Sequence, residues 1–533
     1  MRTGNNLIES HKATKGGVPL RIAEDLPRLI GQGWEALSAA DRELLKWLGV
    51  FLRKPTPGKF MMRIRMPNGF ASSEQLAAIA GLSERLGDST VDVTTRQQLE
   101  LRGYTLESLP EIWARLRGVN LRSLQTGMDN VRNLNGCPLA GLTPHELFDA
   151  SSMVLDLDRI IVGENGNPEY ANLPRKFNVT VTGCRENCTH NESQDLALVP
   201  ATKRIGGQRR PGFHVLVGGK MGSGGFTIAQ NLGWFIDRRQ AVDLALAVIK
   251  LFRDEGPRDA RNKIRLAFMI QSWGLERFRD ELAARLGWKP LPAGEDARLA
   301  RHNDHLGVQE QKQPGLCSVG LKIPVGRTRP EQLRELARLA ESYGTGHVRL
   351  TTGQNAILVN VPQGKVAALL AEPLLKQWPA EAPRFERRMV ACVGTEYCNL
   401  ALIETKEQAL RVSRELGERL NGRGPAPSIH WSGCPAGCGN HAAADIGLRG
   451  MKINVGGEIR EGVAIYVGGC TGPNAREGRQ ILDMVPCDEK LPEVLAKIIE
   501  KFRVPGSEFR VEESDTPNPE PGTAPSPSFE ANA

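Results

Sequence analysis

The chain carries a copy of part of itself. Residues 67–101 align without a gap on residues 324–358, at a constant offset of 257, with 14 identities in 35 positions. Chance would give roughly two, so the alignment marks an internal duplication. Pro67-Asn68-Gly69 meets Pro324-Val325-Gly326, Glu74-Gln75-Leu76 meets Glu331-Gln332-Leu333, and Thr94-Thr95-Arg96-Gln97 meets Thr351-Thr352-Gly353-Gln354. Each copy reads strand, helix, strand. Residues 60–66 alternate as a strand does. Leu76, Ile79, Ala80 and Leu82 recur at helical spacing, Gly87 ends the helix, and Val91 and Val93 open a second strand that runs to Leu101. The copies part at one charge, Arg96 against Gly353, which implies that the two halves divided their work.

A second repeat interleaves with the first. Gly183-Cys184-Arg185-Glu186-Asn187-Cys188 falls on Gly433-Cys434-Pro435-Ala436-Gly437-Cys438 at an offset of 250. Asp195 falls on Asp445, Leu198 on Leu448, and Val217-Gly218-Gly219 on Val467-Gly468-Gly469. Cys137-Pro138-Leu139-Ala140 resembles Cys398-Asn399-Leu400-Ala401 at a different offset, which implies loops of unequal length. The expected order is a helical lead-in (1–50), a first half-domain A1 (51–125), B1 (126–305), A2 (310–380), B2 (385–505) and a Pro-rich acidic tail (512–533) that should be disordered. The fold class is α/β (α+β), built from strand–helix–strand units. Residues 253–304, charged and broken by prolines, read as surface helices and the B1-to-A2 linker.

Composition narrows the function. No run of eighteen apolar residues exists, so no helix is expected to span a membrane. The first twenty residues lack a signal-peptide core, and a cytoplasmic location is expected. Net charge is +8 and the tail is acidic, so the body is basic. Aromatics are only 5% and no Lys/Arg run interleaves with them, which argues against nucleic acid and leaves an acidic protein or small polyanions as partners.

Ten cysteines in 533 residues do not make a disulfide scaffold, and their clustering points to metal. Cys392 and Cys398 form C-x5-C; Cys434 and Cys438 form C-x3-C after a 35-residue gap. Four thiolates suit an iron–sulfur cube, whose irons prefer soft anionic ligands. Gly433, Gly437 and Gly439 let backbone amides approach and point at sulfur. Structural zinc commonly uses tighter knuckles, yet four-thiolate zinc remains open on the pattern alone.

These cysteines, with Thr94-Thr95-Arg96-Gln97, Leu101-Arg102-Gly103, Asp129-Asn130-Val131-Arg132-Asn133 and Leu173-Pro174-Arg175-Lys176-Phe177-Asn178 in that order, resemble the sirohaem- and 4Fe–4S-containing nitrite and sulfite reductases. The resemblance implies a duplicated fold of two ferredoxin-like half-domains (A1, A2) and two cofactor-binding half-domains (B1, B2). It implies Cys392, Cys398, Cys434 and Cys438 as cluster ligands, with Cys438 bridging to the sirohaem iron. It places Arg96, Arg132, Lys176 and Asn178 on the distal side of that iron, where the cations also meet the eight sirohaem carboxylates. The glycine loops 217–225 and 467–472 would lie against the sirohaem. Lys176-Phe177-Asn178 has the Lys-x-Asn of the nitrite-reducing members rather than Lys-x-Lys, and Gly127, five residues before Arg132, is not the cysteine found there in some sulfite-reducing members.

The activity implied is six-electron reduction of nitrite to ammonia, with sulfite reduction on the same frame as the alternative. A precorrin-modifying oxygenase and a zinc-stabilised binding protein are further readings. No flavin or NADPH domain fits beside the repeats, so an acidic one-electron carrier, ferredoxin or flavodoxin, is the expected donor. It is expected to dock on a monomer near Lys406, Arg449 and Lys452. Cys137, Cys184 and Cys188 mirror three cluster positions, with Val131 at the place of Cys392, and are expected to pack as small apolar residues.

Overall fold

The Pro-x-Gly that opens each copy of the repeat is where the two halves cross. In the computed structural model, which describes residues 4–222 and 225–501, the chain turns at Pro67–Gly69 and again at Pro324–Gly326. The middle residue of each turn is left-handed, Asn68 at φ 58° and Val325 at φ 47°. Asn adopts this conformation readily; for a β-branched Val it is a true outlier. Beyond each turn the chain leaves its own sheet and joins the other. The A1 sheet runs Val50–Leu52, Phe60–Ile64, Leu99–Tyr104, Val91–Val93 and ends on Arg327–Thr328 from A2. The A2 sheet runs Gly307–Glu310, Leu316–Leu321, Ala356–Pro362, His347–Leu350 and ends on Phe70–Ser72 from A1. Both exchanged pairs are antiparallel, with Arg327 opposite Asp92 and Phe70 opposite Arg349.

Close approach explains the glycine in each turn. A Cβ on Gly69 would lie 2.3 Å from the Leu350 carbonyl oxygen, and one on Gly326 would lie 2.8 Å from that of Val93. The helices that follow, Ser73–Leu86 and Pro330–Tyr343, begin alike: Gln75 and Gln332 accept hydrogen bonds from the backbone N–H of Ser72 and Arg329. The expected apolar face of the first, Leu76, Ile79, Ala80 and Leu82, is buried. The two helices pack on each other, and A1, A2 and the N-terminal short helices share one core.

B1 and B2 also match. In B2, Met389–Ala391, Ile429–Ser432 and Ile446–Val455 are parallel neighbours, followed antiparallel by Glu458–Val467 and Arg479–Pro486. In B1 the equivalents are Val179–Val181, Leu196–Ile205, Gln208–Val217 and Gln230–Asp237, with the stretch around Val131 and Asn135 making only isolated parallel bridges. Each sheet packs against helices around its own core, among them Ala241–Glu255 in B1 and Lys406–Leu420 in B2. No helix among the described residues is long and apolar enough to cross a membrane. The tail at 512–533 lies outside the described residues.

Two expectations are corrected. Residues 253–304 are not only surface and linker: Leu266–Trp273 buries Leu266, Ala267, Met269 and Ile270 in the B1 core, and Arg258 and Arg265 beside it are 2% exposed. The charges of that stretch face inward to partners, which composition cannot reveal. Lys406 is not a surface cation either. It is 1% exposed, and its Nζ bonds the Val325 carbonyl and lies 3.5 Å from Asp92.

Asp92 thus joins three parts of the molecule. On the A1 strand it meets Arg102 of A1 (2.6 Å), Arg327 of the exchanged A2 strand (3.1 Å) and Lys406 of B2. Burial alone would raise its pKa; Lys406, Arg102 and Arg327 overcome this and hold the carboxyl well below the ordinary range. Asp92→Asn leaves these cations uncompensated and should cost about 3–5 kcal/mol, read as a lower Tm at pH 7. Because the folded-state pKa is depressed, the stabilisation is complete above the unfolded value of about 4 and is lost as pH falls below it. The Tm gap between wild type and Asp92→Asn should therefore narrow between pH 6 and pH 3; a gap that stays constant contradicts the assignment.

Candidate functional site

The four B2 cysteines converge on one spot from two loops. Cys392 follows the strand Met389–Ala391, and Cys398 closes the short helix Gly394–Tyr397. Cys434 and Cys438 lie on the loop after Ile429–Ser432. Cys434 feels the charges of Cys438, Cys398 and Cys392. Burial pushes the Cys392 thiol up to about 11 and Cys434 up to about 12, so both carry protons until a metal displaces them. No three of the four sulfurs lie within 4.8 Å of one another. That spacing suits a polynuclear cluster rather than one tetrahedral ion.

The loop glycines do different jobs. Only Gly437 has a positive φ, 67°. Gly433 donates its N–H to Cys392 Sγ at 3.1 Å, the amide-to-sulfur bond expected of it. A Cβ on Gly439 would sit 2.0 Å from the Trp431 carbonyl oxygen, so that glycine is there for close packing. Leu400 N–H reaches Cys398 Sγ at 3.5 Å. Cys438 is the one exposed cysteine, turned toward the first half of the chain.

What faces Cys438 is a crowd of cations. Thr95 Oγ1 donates to the Cys438 carbonyl at 3.3 Å and brings the Thr94–Gln97 turn to the loop. Asn133 Nδ2 donates to the Arg96 carbonyl at 2.9 Å and ties that turn to the Arg132 segment. Arg132 N–H in turn donates to Phe177 O at 2.8 Å, which places Lys176 and Asn178 beside it. Lys176 feels Arg265, Arg96, Cys438 and Arg132. Burial, then Arg265 and Arg96, hold its ammonium well below the ordinary lysine value. Burial, then Arg63 and Arg96, likewise disfavour the charge of Arg132. Arg96, Arg132 and Lys176 make no ion pair among the described residues. Asn178 is buried, its N–H bound to Asp195 and its Oδ1 without a partner. The structure thus brings Arg96, Arg132, Lys176 and Asn178 together with Cys438. Such a gathering of unpaired cations fits a polyanionic group.

Several members were not singled out in the sequence. Arg265 clamps Asp195 through two bonds of 3.0 and 2.6 Å, leaving one Nη without a partner. Its only sequence signal was the repeat that marks Asp195. Arg53, Arg63, Arg175 and Arg261 complete the positive field. Arg102, by contrast, is structural: it pairs with Asp92 and Glu100 under the Tyr397 ring. A Cβ on Gly127 would meet the Lys46 carbonyl oxygen at 2.1 Å, so no side chain fits there without a backbone shift.

The glycine loops are paired across the pseudo-twofold. A Cβ on Gly222 would meet the Ala436 oxygen at 2.7 Å and Lys176 Nζ at 3.4 Å, while Gly472 N–H donates to Glu192 at 2.9 Å beside Asn187. The mirror of the cation site is a cavity of about 370 Å³ lined by Thr352, Gly353, Arg388, His430 and Asp445, in which Gly353 replaces Arg96.

The hydrogen bonds also correct the matching of the cysteines. Gln97 Nε2 donates to Gly136 O at 3.1 Å and Gly136 N–H returns to Gln97 Oε1 at 3.3 Å. Gln354 makes the same pair with Ala391, at 3.0 Å each way. Gly136 therefore corresponds to Ala391, and Cys137 to Cys392, not to Cys398. The offset here is 255, against 257 in the first repeat and 250 in the second, so the loops differ in length on both sides of this point, which the similar tetrapeptides concealed.

The sequence matches the family described as nitrite and sulphite reductase 4Fe-4S domain over residues 127–290 and 384–512, and the nitrite/sulfite reductase ferredoxin-like half domain over 53–119 and 309–375. It is 44% identical over 502 residues to the ferredoxin–nitrite reductase of Synechococcus elongatus, covering 93% of this chain and 96% of that one. It is 38% identical to the chloroplastic ferredoxin–nitrite reductase of Spinacia oleracea, covering 94% and 86%. Against the assimilatory ferredoxin-dependent nitrite reductase of Haloferax mediterranei it is 37% identical, covering 92% and 88%. The structure of the Mycobacterium tuberculosis NirA protein superposes with a TM-score of 0.86 at 28% identity, covering 94% of each chain. With four cysteines spaced for a cluster, a cation crowd facing one of them, and family matches over all four half-domains, the chain belongs to the nitrite and sulfite reductase family.

Proposed function

We propose that the chain reduces nitrite to ammonia with electrons from ferredoxin. The observation that carries this is the set of cations without carboxylate partners gathered before the exposed sulfur of Cys438. The reading is supported by relatives that are named ferredoxin–nitrite reductases and match nearly end to end. Cys392, Cys398, Cys434 and Cys438 would hold the 4Fe–4S cluster; Arg96, Arg132 and Lys176, with Cys438, would hold sirohaem. When bound, these groups supply an iron for the substrate nitrogen and electrons one at a time.

The chain's own residues do the rest. Arg96 and Arg132 bind carboxylates and stabilise the charge of the substrate oxygens as each N–O bond breaks. Lys176, whose proton is held loosely, donates to a departing oxygen and is recharged from solvent. Nitrite reduction takes six electrons and eight protons, so a reusable donor matters. The Asn178 amide donates a hydrogen bond without adding charge. That suits nitrite, a monoanion, over sulfite, largely a dianion near neutral pH. A cytoplasmic monomer is part of the same reading.

The donor's docking face moves with Lys406 excluded. Asn399 and Leu400 are exposed beside Cys398, and Asn399 accepts from the backbone N–H of exposed Lys54 at 2.8 Å. An acidic ferredoxin seated over Lys54 and Leu400 would approach the cluster closely, with Lys452 as a further exposed cation. Flavodoxin would present the same acidic chemistry.

Kinetics test the substrate. Wild type should show the higher kcat/KM for nitrite with a common donor, and Asn178→Lys should shift the nitrite-to-sulfite ratio toward sulfite by about ten-fold. A wild type that prefers sulfite overturns the reading. Ferredoxin-driven turnover should fall steeply with salt, and Lys54→Glu should raise the ferredoxin KM about three- to ten-fold while leaving turnover with a small viologen donor unchanged. An unchanged ferredoxin KM would move the dock elsewhere.

A further inference from the structure

The mirror of the cluster site, in B1, is also rich in ligands. Cys137, Cys184 and Cys188 are the counterparts of Cys392, Cys434 and Cys438, and they are 1%, 2% and 4% exposed. They pack, as expected of small residues, with Leu139, Ala140, Leu142, Ile357 and Val359. Cys137 Sγ and Cys188 Sγ lie within 4.8 Å of each other, and Cys184 interacts electrostatically with both thiols. What the repeat could not show is a fourth group. His305, 3% exposed and at the very end of B1, brings a ring nitrogen to the thiols. That nitrogen, Cys137 Sγ and Cys188 Sγ all lie within 4.8 Å of one another.

His305 looks built for this place. It is left-handed at φ 59°, with its N–H held by Asn303 Oδ1 at 2.8 Å. Its carbonyl packs so tightly on Gly320 that a Cβ there would lie 1.7 Å away. Neither ring nitrogen has a hydrogen-bond partner, although both are buried. The neighbouring Gln309 amide is spent on Asn303, through two bonds of 3.2 Å. A buried imidazole with no partner is costly, and a metal at one nitrogen removes that cost.

We propose that Cys137, Cys184, Cys188 and His305 bind one zinc ion. The close trio suits a single ion. With Zn–S near 2.3 Å, tetrahedral ligands lie about 3.8 Å apart; Cys137 Sγ, Cys188 Sγ and the His305 nitrogen already lie within 4.8 Å of one another, and Cys184 closes on them as the fourth ligand. The ligand set selects zinc: three soft thiolates and one imidazole is a closed structural combination. A disulfide between two of the thiols would leave His305 unsatisfied and the third thiol idle. No electron or group transfer is involved; the thiols lose protons as the metal enters. The ion would pin the B1-to-A2 connection to the 137 and 184–188 loops. Those loops meet A2 through Thr352 Oγ1, which donates to Cys188 O at 2.8 Å, the mirror of the bond from Thr95 to Cys438.

The test uses the full-length protein purified with its cofactors from zinc-supplemented cells. Elemental analysis should give about one zinc per chain in addition to its iron, and the zinc absorption edge should fit three sulfurs at about 2.3 Å and one nitrogen at about 2.0–2.1 Å. Cys188→Ser and His305→Gln should each lose at least ten-fold in zinc content while keeping iron content and visible absorption. Wild type with less than about a tenth of a zinc per chain overturns the proposal. So does a zinc shell without sulfur, or zinc retained in both variants. Iron in place of zinc at this site, seen as iron above that of one cluster and one haem and lost in Cys188→Ser, also overturns it. If either variant fails to fold, the edge spectrum of wild type decides alone.

Discussion

Two buried carboxamides hold the two halves of the molecule in register. Gln97 Nε2 reaches the carbonyl of Gly136, at the start of its own cysteine loop, and that of Leu350 in the other half, at 3.1 Å each. Gln354 reaches Ala391 at 3.0 Å and Val93 at 3.1 Å in the mirrored way. Each side chain therefore fixes three things at once: the turn that bears it, the partner half's strand, and the residue immediately before Cys137 or Cys392. An amide can do this because it donates twice and accepts, and in a dry interior each of those bonds is costly to lose. The exchanged strands, the glycines at the crossings and the position of Arg96 next to Gln97 all depend on that geometry.

The duplication and its consequences were legible because they are written in local sequence. A constant offset of 257 matches the helices Ser73–Leu86 and Pro330–Tyr343 residue for residue, and the offset of 250 matches the long hairpins of B1 and B2. The resemblance also pointed to Cys392, Cys398, Cys434 and Cys438 and to the Arg96, Arg132 and Lys176 segments, which the structure brings together. The strand exchange was not, since a strand of two or three residues has the same pattern whichever sheet it joins. Nor were Lys406 and Arg265. A cation in a charged stretch looks like surface until its partner is known, and Asp92 and Asp195 come from distant parts of the chain. His305 was invisible for the same reason, lying outside both repeats.

The two halves kept one scaffold and divided its chemistry. The first supplies the cations, on turns that Thr95 brings to the loop of Cys438. The second supplies the four cysteines. At the mirrored site, Gly353 replaces Arg96, and Cys137 and Cys188 draw together with His305. Charge explains why both sets are not kept twice. A crowd such as Arg96, Arg132, Lys176 and Arg265 is costly without a polyanion to neutralise it, because each cation disfavours the charge of its neighbours.

Under the proposed function, this cation crowd and Cys438 would enclose a haem-type iron coupled to a cluster. The visible absorption spectrum of the purified protein, taken before and after adding nitrite, tests it most directly. A coloured protein is expected, with sirohaem bands that shift when nitrite binds. A colourless protein without iron, or a cluster spectrum alone that nitrite leaves unchanged, would contradict it.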